Sequence, residues 1–395
     1  MSRTCCLLLF LASMPALPFA LADEAPFIRP IEPDASAGES GAVVVRGIDL
    51  VQTGQICPPA NAGSTPSQQA HDVCSRLDEL LRRAGSGFGR VVKLNVYISD
   101  DVHAAEVRRV LAGRVAPASP PAVSWVMTRL PVDGALVAMD AIAAADPKAA
   151  AVEIKAHEGQ TFSVLPARAT SRSYVSGQAE KAATAAEGTR LTMASLTKTL
   201  DFLGVAKGDV TQVKVFIAPM EDASNVLDEI AAVFKPAPTP PVSLVEWKST
   251  DYPVEIELVA ATTKPLETPR PSLEFLTPPG MTTPTVYCRV ARVQHPTTIF
   301  LSGLYGSQAD PDGEAELRQL FDRTQELAEK GQSDLRHLVK ATYYVSAPGS
   351  SQQHNRLRPE YYDAQRPPAA SKALVKGVGR PGRTITWDMI AIPKD

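Results

Sequence analysis

The sequence predicts an α+β protein built from three tandem ββαβαββ units. Three observations lead there. From Tyr97 to Ser124, from Phe216 to Ser243 and from Tyr344 to Ser371 the separation is 27 residues each time, and equal spacings mark a repeated unit. In each copy the aromatic sits in an apolar run, and the serine follows a proline by two or three residues. Each copy also carries two helical stretches and a closing strand, clearest in the alternation Val254-Glu255-Ile256-Glu257.

The chain has 395 residues, enough for two to four domains. Hydrophobic residues make up 44% of it, which permits a real core. A formal charge of −3 leaves no basic footprint for nucleic acid.

Residues 1–22 read as a secretory signal peptide. Arg3 supplies the positive start, Cys5 to Ala20 the apolar run, and Ala20-Leu21-Ala22 the small-x-small cleavage site. Pro15 and Pro18 interrupt a run already shorter than the ~20 residues of a spanning helix. The expectation is an exported protein, periplasmic or extracellular, with no membrane span. Cleavage leaves Cys57, Cys74 and Cys288, an odd number and no disulfide framework. Cys57 and Cys74 could pair in an oxidising compartment, or Cys74 could serve as a small apolar residue on a helix. No Cys/His cluster has metal-ligand spacing, so no metal and no cofactor is expected.

Residues 23–40 are polar and read as an N-terminal arm. Unit 1 spans 41–148. Ala42 to Arg46 and Leu50 to Gln55, parted by Gly47, predict a hairpin. Val73, Leu77, Leu80, Leu81 and Ala84 form a helical stripe that Gly85 stops, because glycine takes the left-handed cap without a Cβ penalty. Val91 to Ser99 is a strand, and Asp100 or Asp101 caps a second helix. Val123 to Arg129 and Leu136 to Ala143 close the unit. Unit 2, 149–263, repeats the order: a hairpin ending at Tyr174-Val175-Ser176-Gly177, a helix stopped by Gly204, the strand 213–218, the helix 222–234 and two closing strands. Residues 264–284 hold six prolines and read as an extended linker. Unit 3, 285–395, has its hairpin end at 298–303, a helix through Leu317, Leu320, Thr324 and Leu327 stopped by Gly331, the strand 338–346, a helix over 351–362 and a last strand over 384–392.

A sheet with helices on one face needs a partner for the other. In unit 2 we expect Val215, Ile217, Val245 and Ile256 on one side and Phe216, Leu244 and Trp247 on the other. Three such sheets would pack their second faces around a pseudo-threefold axis.

With these motifs in place, the sequence resembles the Rid family (RidA/YjgF-like, L-PSP endoribonuclease). A Ser-Gly-Gln after the hairpin is matched by Thr53-Gly54-Gln55, Ser176-Gly177-Gln178 and Ser302-Gly303-Leu304. A lysine-rich strand ending in an apolar-aromatic-apolar trio is matched by Val96-Tyr97-Ile98, Val215-Phe216-Ile217 and Tyr343-Tyr344-Val345. A Pro-Ala-Arg-Ser turn corresponds to Pro121-Ala122-Val123-Ser124, Pro240-Pro241-Val242-Ser243 and Pro368-Ala369-Ala370-Ser371. A Val-Glu-Ile-Glu strand corresponds to Met139-Asp140, Val254-Glu255-Ile256-Glu257 and Trp387-Asp388. The resemblance implies a chorismate-mutase-like fold, a trimeric arrangement made here within one chain, and inter-unit clefts for small 2-keto or 2-imino acids. A monomer acting as a pseudotrimer is expected.

Hydrolysis of an imine needs a cation for the substrate carboxylate and a group that places water at the C=N carbon. The resemblance implies that an arginine does the first, because a guanidinium grips a carboxylate with two parallel bonds. It implies that a carboxylate on the last strand does the second. Here the arginine is replaced by Val123, Val242 and Ala370. Loss of a bidentate pair, at ~1.5–3 kcal/mol per bond, weakens carboxylate binding by two orders of magnitude or more. Pro166-Ala167-Arg168 precedes the wrong strand and reads as a decoy. Arg129, Arg380, Arg383 and Lys372 are the residues that could stand in, or else are solvated charges. The catalytic candidates are Asp140, Glu257 and Asp388, and the ligand-binding candidates are Ser124, Ser243, Ser371 and Tyr305. The six histidines form no nucleophile-base arrangement. The expected function is binding of a small keto- or imino-acid-like metabolite with degenerate deaminase sites. The alternatives are an active deaminase with a relocated cation, and a cell-envelope interaction protein.

Overall fold

The computed structural model describes residue 25 and residues 27–249, 251–265, 268–306, 310 and 313–394. The expected signal peptide lies outside them. The chain begins with β1 (Phe27–Asp34), β2 (Glu39–Arg46) and β3 (Asp49–Thr53). Then come α1 (Pro66–Arg83), β4 (Val91–Ile98), α2 (Ala104–Ala112), β5 (Ala122–Met127) and β6 (Val137–Ala145). The second run is β7 (Glu153–His157), β8 (Gln160–Leu165), β9 (Ser171–Gln178), α3 (Ala185–Leu203), β10 (Val210–Ile217), α4 (Ala223–Phe234), β11 (Val242–Glu246) and β12 (Val254–Thr262). The third is β13 (Leu273–Leu276), β14 (Val290–Val293), β15 (Thr297–Leu304), α5 (Glu314–Lys330), β16 (Leu338–Val345), α6 (Pro348–Tyr361), β17 (Ala369–Leu374) and β18 (Ile385–Ala391).

Local chemistry explains the helices. Thr65 and Gln68 form a reciprocal capping box at the start of α1. Asp100 accepts from Val102 N ahead of α2, as expected. Gly85 and Gly204 take φ of +77° and +68° just past α1 and at the end of α3. Gly331 differs: its φ is −85°, and Gln332, at +64°, makes the left-handed turn instead. The stripes Val73–Leu81, Met193–Leu200 and Leu317–Leu327 are buried against the sheets, as their spacing requires.

The predicted hairpins do not form. β2 pairs with β15, β8 with β3, and β14 with β9, each antiparallel. The first strand of each unit therefore completes the sheet of the preceding unit, and the strand from unit 1 completes the sheet of unit 3. The stretch expected to be a linker contributes β13, which pairs with β14, and the expected arm contributes β1, which pairs with β2. The physical reason lies in the side chains of β2. Ala42 and Val44 enter the helix-side core of unit 3, while Val43 and Val45 enter a central cluster. A strand apolar on both faces buries both only where a unit core and the centre meet.

Each unit has its own core between helices and sheet. The opposite faces of the sheets meet in two shared clusters. Val43, Leu50, Ile142, Leu165, Tyr174, Val259, Phe300 and Ile390 belong to one. Tyr97, Phe216 and Tyr344, the three equally spaced aromatics, belong to the other with Val126, Val245 and Ala373. In unit 2 the expected sides of Leu244 and Val245 are exchanged. β11 runs parallel to β10 with Val215 opposite Leu244 and Phe216 opposite Val245, so Leu244 shares the helix face and Val245 the central one.

Candidate functional site

Between the two shared clusters lies a belt of polar side chains, and strand alternation builds it. Along β6 the central face reads Ala138, Asp140, Ile142; along β5 it reads Ala122, Ser124, Val126. Across the ladders Asn95 faces Asp140, Lys214 faces Glu257, and Thr342 faces Asp388. All three candidate carboxylates thus point to the centre, and all are buried.

Contrary to the expectation from the missing arginine, cations are already there. Lys93 Nζ lies 2.8 Å from Asp388 Oδ1 and donates to Asn95 and to Ser302, both at 3.0 Å. Lys340 Nζ lies 2.6 Å from Glu257 Oε1 and donates to Thr342 at 2.7 Å. Lys214 donates to the Tyr344 hydroxyl at 3.1 Å. Among the described residues no lysine forms a salt bridge with Asp140, although its charge acts on Lys214. The Asp140 carboxylate accepts from Asn95 at 2.7 Å, Tyr97 at 2.5 Å and Ser243 at 2.7 Å. Burial would raise the Asp388 carboxyl, but Lys93, Lys214 and Lys340 hold it below its ordinary range. Burial pushes the Lys93 ammonium down against the opposing pull of Asp388. Burial would also lower Lys214, yet Tyr344, Tyr97, Asp140 and Asp388 keep it well above its ordinary value.

Lys93, Lys214, Lys340, Glu257 and Asp388 line a cavity of about 30 Å³. That is room for about two waters, against the roughly 300 Å³ at which small-molecule sites begin.

The bonds of the belt run between units: Lys93 of unit 1 to Asp388 of unit 3, Lys340 of unit 3 to Glu257 of unit 2, Ser243 of unit 2 to Asp140 of unit 1. The glycines after the hairpin position also contact another unit in turn, in the opposite cyclic sense. Gln55 N, next to Gly54, donates to Val242 O; Gly177 N donates to Ser371 Oγ; and Gly303, at φ +66°, packs so close to Val123 O that a Cβ would sit 2.2 Å away.

The substituted arginine positions do not face this belt. Val123 and Ala370 belong to the helix-side cores of units 1 and 3, and Val242 packs against that of unit 2. The adjacent serines take the central face: Ser124 touches Lys93 at 3.4 Å, Ser243 touches Asp140, and Ser371 bonds Gly177. Tyr305 lies apart from the carboxylates, its hydroxyl donating to Val378 O at 2.6 Å with Arg380 4.7 Å over its ring. Among the possible stand-ins, Arg129 pairs with Glu221, Arg383 lies beside Glu316, and Lys372 bonds Asn355 of α6 at 2.8 Å, where burial lowers it to about 8. Arg168 is exposed in the β8–β9 connection. Cys57, Cys74 and Cys288 are free. Among the described residues no helix is long and apolar enough to cross a membrane, and no His/Cys/Asp/Glu group could hold a metal.

One carboxylate was passed over in the sequence. Glu255 faces Phe216 across the ladder, where units 1 and 3 place Ala138 opposite Tyr97 and Thr386 opposite Tyr344. It accepts from the Ser371 hydroxyl across the seam between units 2 and 3, and it lies so close over Gly177 that a Cβ there would meet it at 2.0 Å. Burial, and then the neighbouring Glu257 charge, push its carboxyl up to about 7.

The model of the endoribonuclease L-PSP family matches residues 32–145 and 161–262, together more than half of the chain. The chain belongs to that family. Unit 3, residues 285–395, lies wholly outside the matched segments, although its strands and helices follow the same order. Among solved structures, a YjgF-family protein from Neisseria meningitidis is 26% identical over 31% of this chain and 98% of its own, with a TM-score of 0.24. A Rid-family protein of unknown function, YyfB from Yersinia pestis, is 27% identical over 30% and 98%, with a TM-score of 0.25. A YjgF/YER057c/UK114-family protein from Mycobacterium tuberculosis is 19% identical over 24% and 77%, with a TM-score of 0.22. No curated protein matches. The family assignment rests on the two matched segments of the L-PSP family.

Proposed function

We propose that this chain is an exported, intramolecular pseudotrimer that binds a small keto- or imino-acid-like metabolite at a seam between units and has lost imine hydrolysis at its centre. One observation carries the loss. Asp388 and Glu257 sit at 2.8 and 2.6 Å from Lys93 and Lys340 in a cavity of about 30 Å³. Carboxylates held in that way cannot place water on a substrate that has no room to enter. The cyclic order of the seam contacts supports closure within one chain.

We place the ligand at the seam between units 2 and 3, where Ser371 bonds both Glu255 and Gly177 N, so that its entry requires those contacts to open. Among the described residues no guanidinium bonds Glu255 or Ser371 at this seam, so binding is expected without turnover. The test is ammonia release from 2-iminobutanoate generated in a coupled assay, together with melting in the presence of 2-ketobutanoate. The expected outcome is no acceleration at high protein concentration, and a melting rise that Glu255→Gln removes. A second reading is favoured by Glu255 itself, because a carboxyl near 7 is suited to proton transfer at neutral pH. Acceleration that disappears in Glu255→Gln would establish that reading and overturn the first.

A further inference from the structure

We propose that unit 3 carries a carbonyl-capturing amine: Lys372 forms a reversible imine with a small 2-keto acid, and Arg358 holds the carboxylate of that acid. This site is separate from the seam at Glu255, because Ser371 and Lys372 are neighbours on β17 and point to opposite faces.

The comparison that isolates Lys372 is internal. The strand registers set it opposite Tyr343, as Trp125 is opposite Val96 and Leu244 opposite Val215. Each of the three follows the turn serine directly. Trp125 and Leu244 are buried in the helix-side cores of units 1 and 2. Unit 3 thus puts an amine where the other units put apolar side chains, and a half-buried amine gives up hydration that a surface lysine keeps.

Around it, α6 supplies a second cation and no acid. Lys372 Nζ donates to Asn355 Oδ1 at 2.8 Å and to Ser351 O at 3.5 Å. Arg358 donates to the same Asn355 oxygen at 3.1 Å. Two cations share one neutral amide, and among the described residues neither forms a salt bridge. Arg358 is 9% exposed, and its Nε has no partner among the described residues. A guanidinium edge left open in this way suits a carboxylate. His354, fully buried with neither ring nitrogen bonded, is held neutral by burial and by these two cations. Asn355 itself is exposed, so its amide can swing out and leave its place to a ligand arriving from solvent.

Burial, and then Arg358, lower the Lys372 amine to about 8, which leaves an appreciable fraction unprotonated at neutral pH. That Nζ adds its electron pair to the keto carbon, and the carbonyl oxygen takes up a proton. The carbinolamine then loses one water. Both amine hydrogens leave in it, a C=N bond replaces C=O, and no oxidant or reductant takes part.

The experiment incubates the full chain with pyruvate or acetaldehyde at neutral pH, reduces with borohydride and maps the peptides by mass. The adduct is heavier by the carbonyl compound less one oxygen atom. The Lys372 peptide should be labelled at least tenfold faster than any other lysine peptide. Arg358→Gln should slow capture of pyruvate at least threefold more than capture of acetaldehyde, and equal slowing would overturn the role of Arg358. Lys372→Leu, which installs the residue of unit 2, should fold and lose the rapid label. Glu255→Gln should be labelled like wild type whatever its effect on melting, and loss of labelling there would contradict a separate site. Labelling spread evenly over the lysines, or a rapid adduct that persists in Lys372→Leu, would overturn the proposal.

Discussion

At the scale of single residues, the belt turns groups suited to catalysis into groups that hold units together. Glu257 is almost fully buried and Lys340 sits on it. Removing one member of such a pair strands the other and costs about 3–5 kcal/mol, whereas replacing both with apolar groups is often neutral. Lys340→Met should therefore lower stability to urea by that amount, and Lys340→Met with Glu257→Leu should recover most of it. No recovery would mean that the pair acts on something besides stability. Glu255 makes a second prediction. Its carboxyl rises from 4.5 to about 7 on folding, so the fold favours the neutral form. That contribution is complete below pH ~4.5 and disappears as pH rises through 7, a change of about 3 kcal/mol. Wild type should lose that much stability between pH 4.5 and 8 relative to Glu255→Gln, and parallel pH profiles would contradict the assignment.

Much of this residue pattern was legible in the sequence. Asp140, Glu257 and Asp388 were candidates only through the family resemblance and their place on the closing strands, and the structure turns all three to the central face. The lysines carry no turn or motif signal of their own, although Lys93, Lys214 and Lys340 each precede their strand aromatic by an even number of residues and so share its face. The valines and alanine at the arginine position were expected to face a ligand. Alternation instead turns them under the helices and gives the centre to the neighbouring serines.

At the scale of elements, the helices followed from their stripes and caps, but the partners of the first strands did not. Arg46 and Asp49 are separated by two residues, which suits a hairpin, and nothing in the sequence near them says that β2 joins another sheet. The deciding contacts are with β15, some 250 residues away. If β2 completes the sheet of unit 3, deleting residues 23–46 should expose the 297–301 amides and raise their hydrogen exchange by orders of magnitude. Unchanged protection there, with new exchange in β3 instead, would restore the hairpin.

At the scale of the whole molecule, strand exchange and the polar belt run in one cyclic sense and the glycine contacts in the other, and all of them need three units in contact. With β2 supplied to β15 from the same chain, the place beside β15 that a strand of another copy could take is already filled. The ring is expected to be complete at one chain. Light scattering of the purified protein at about 1 μM tests this most directly. A mass no greater than the 42.2 kDa of the full chain, unchanged on dilution, is the predicted result. A mass of two or three chains that falls on dilution would show that the strands and ion pairs are shared between copies.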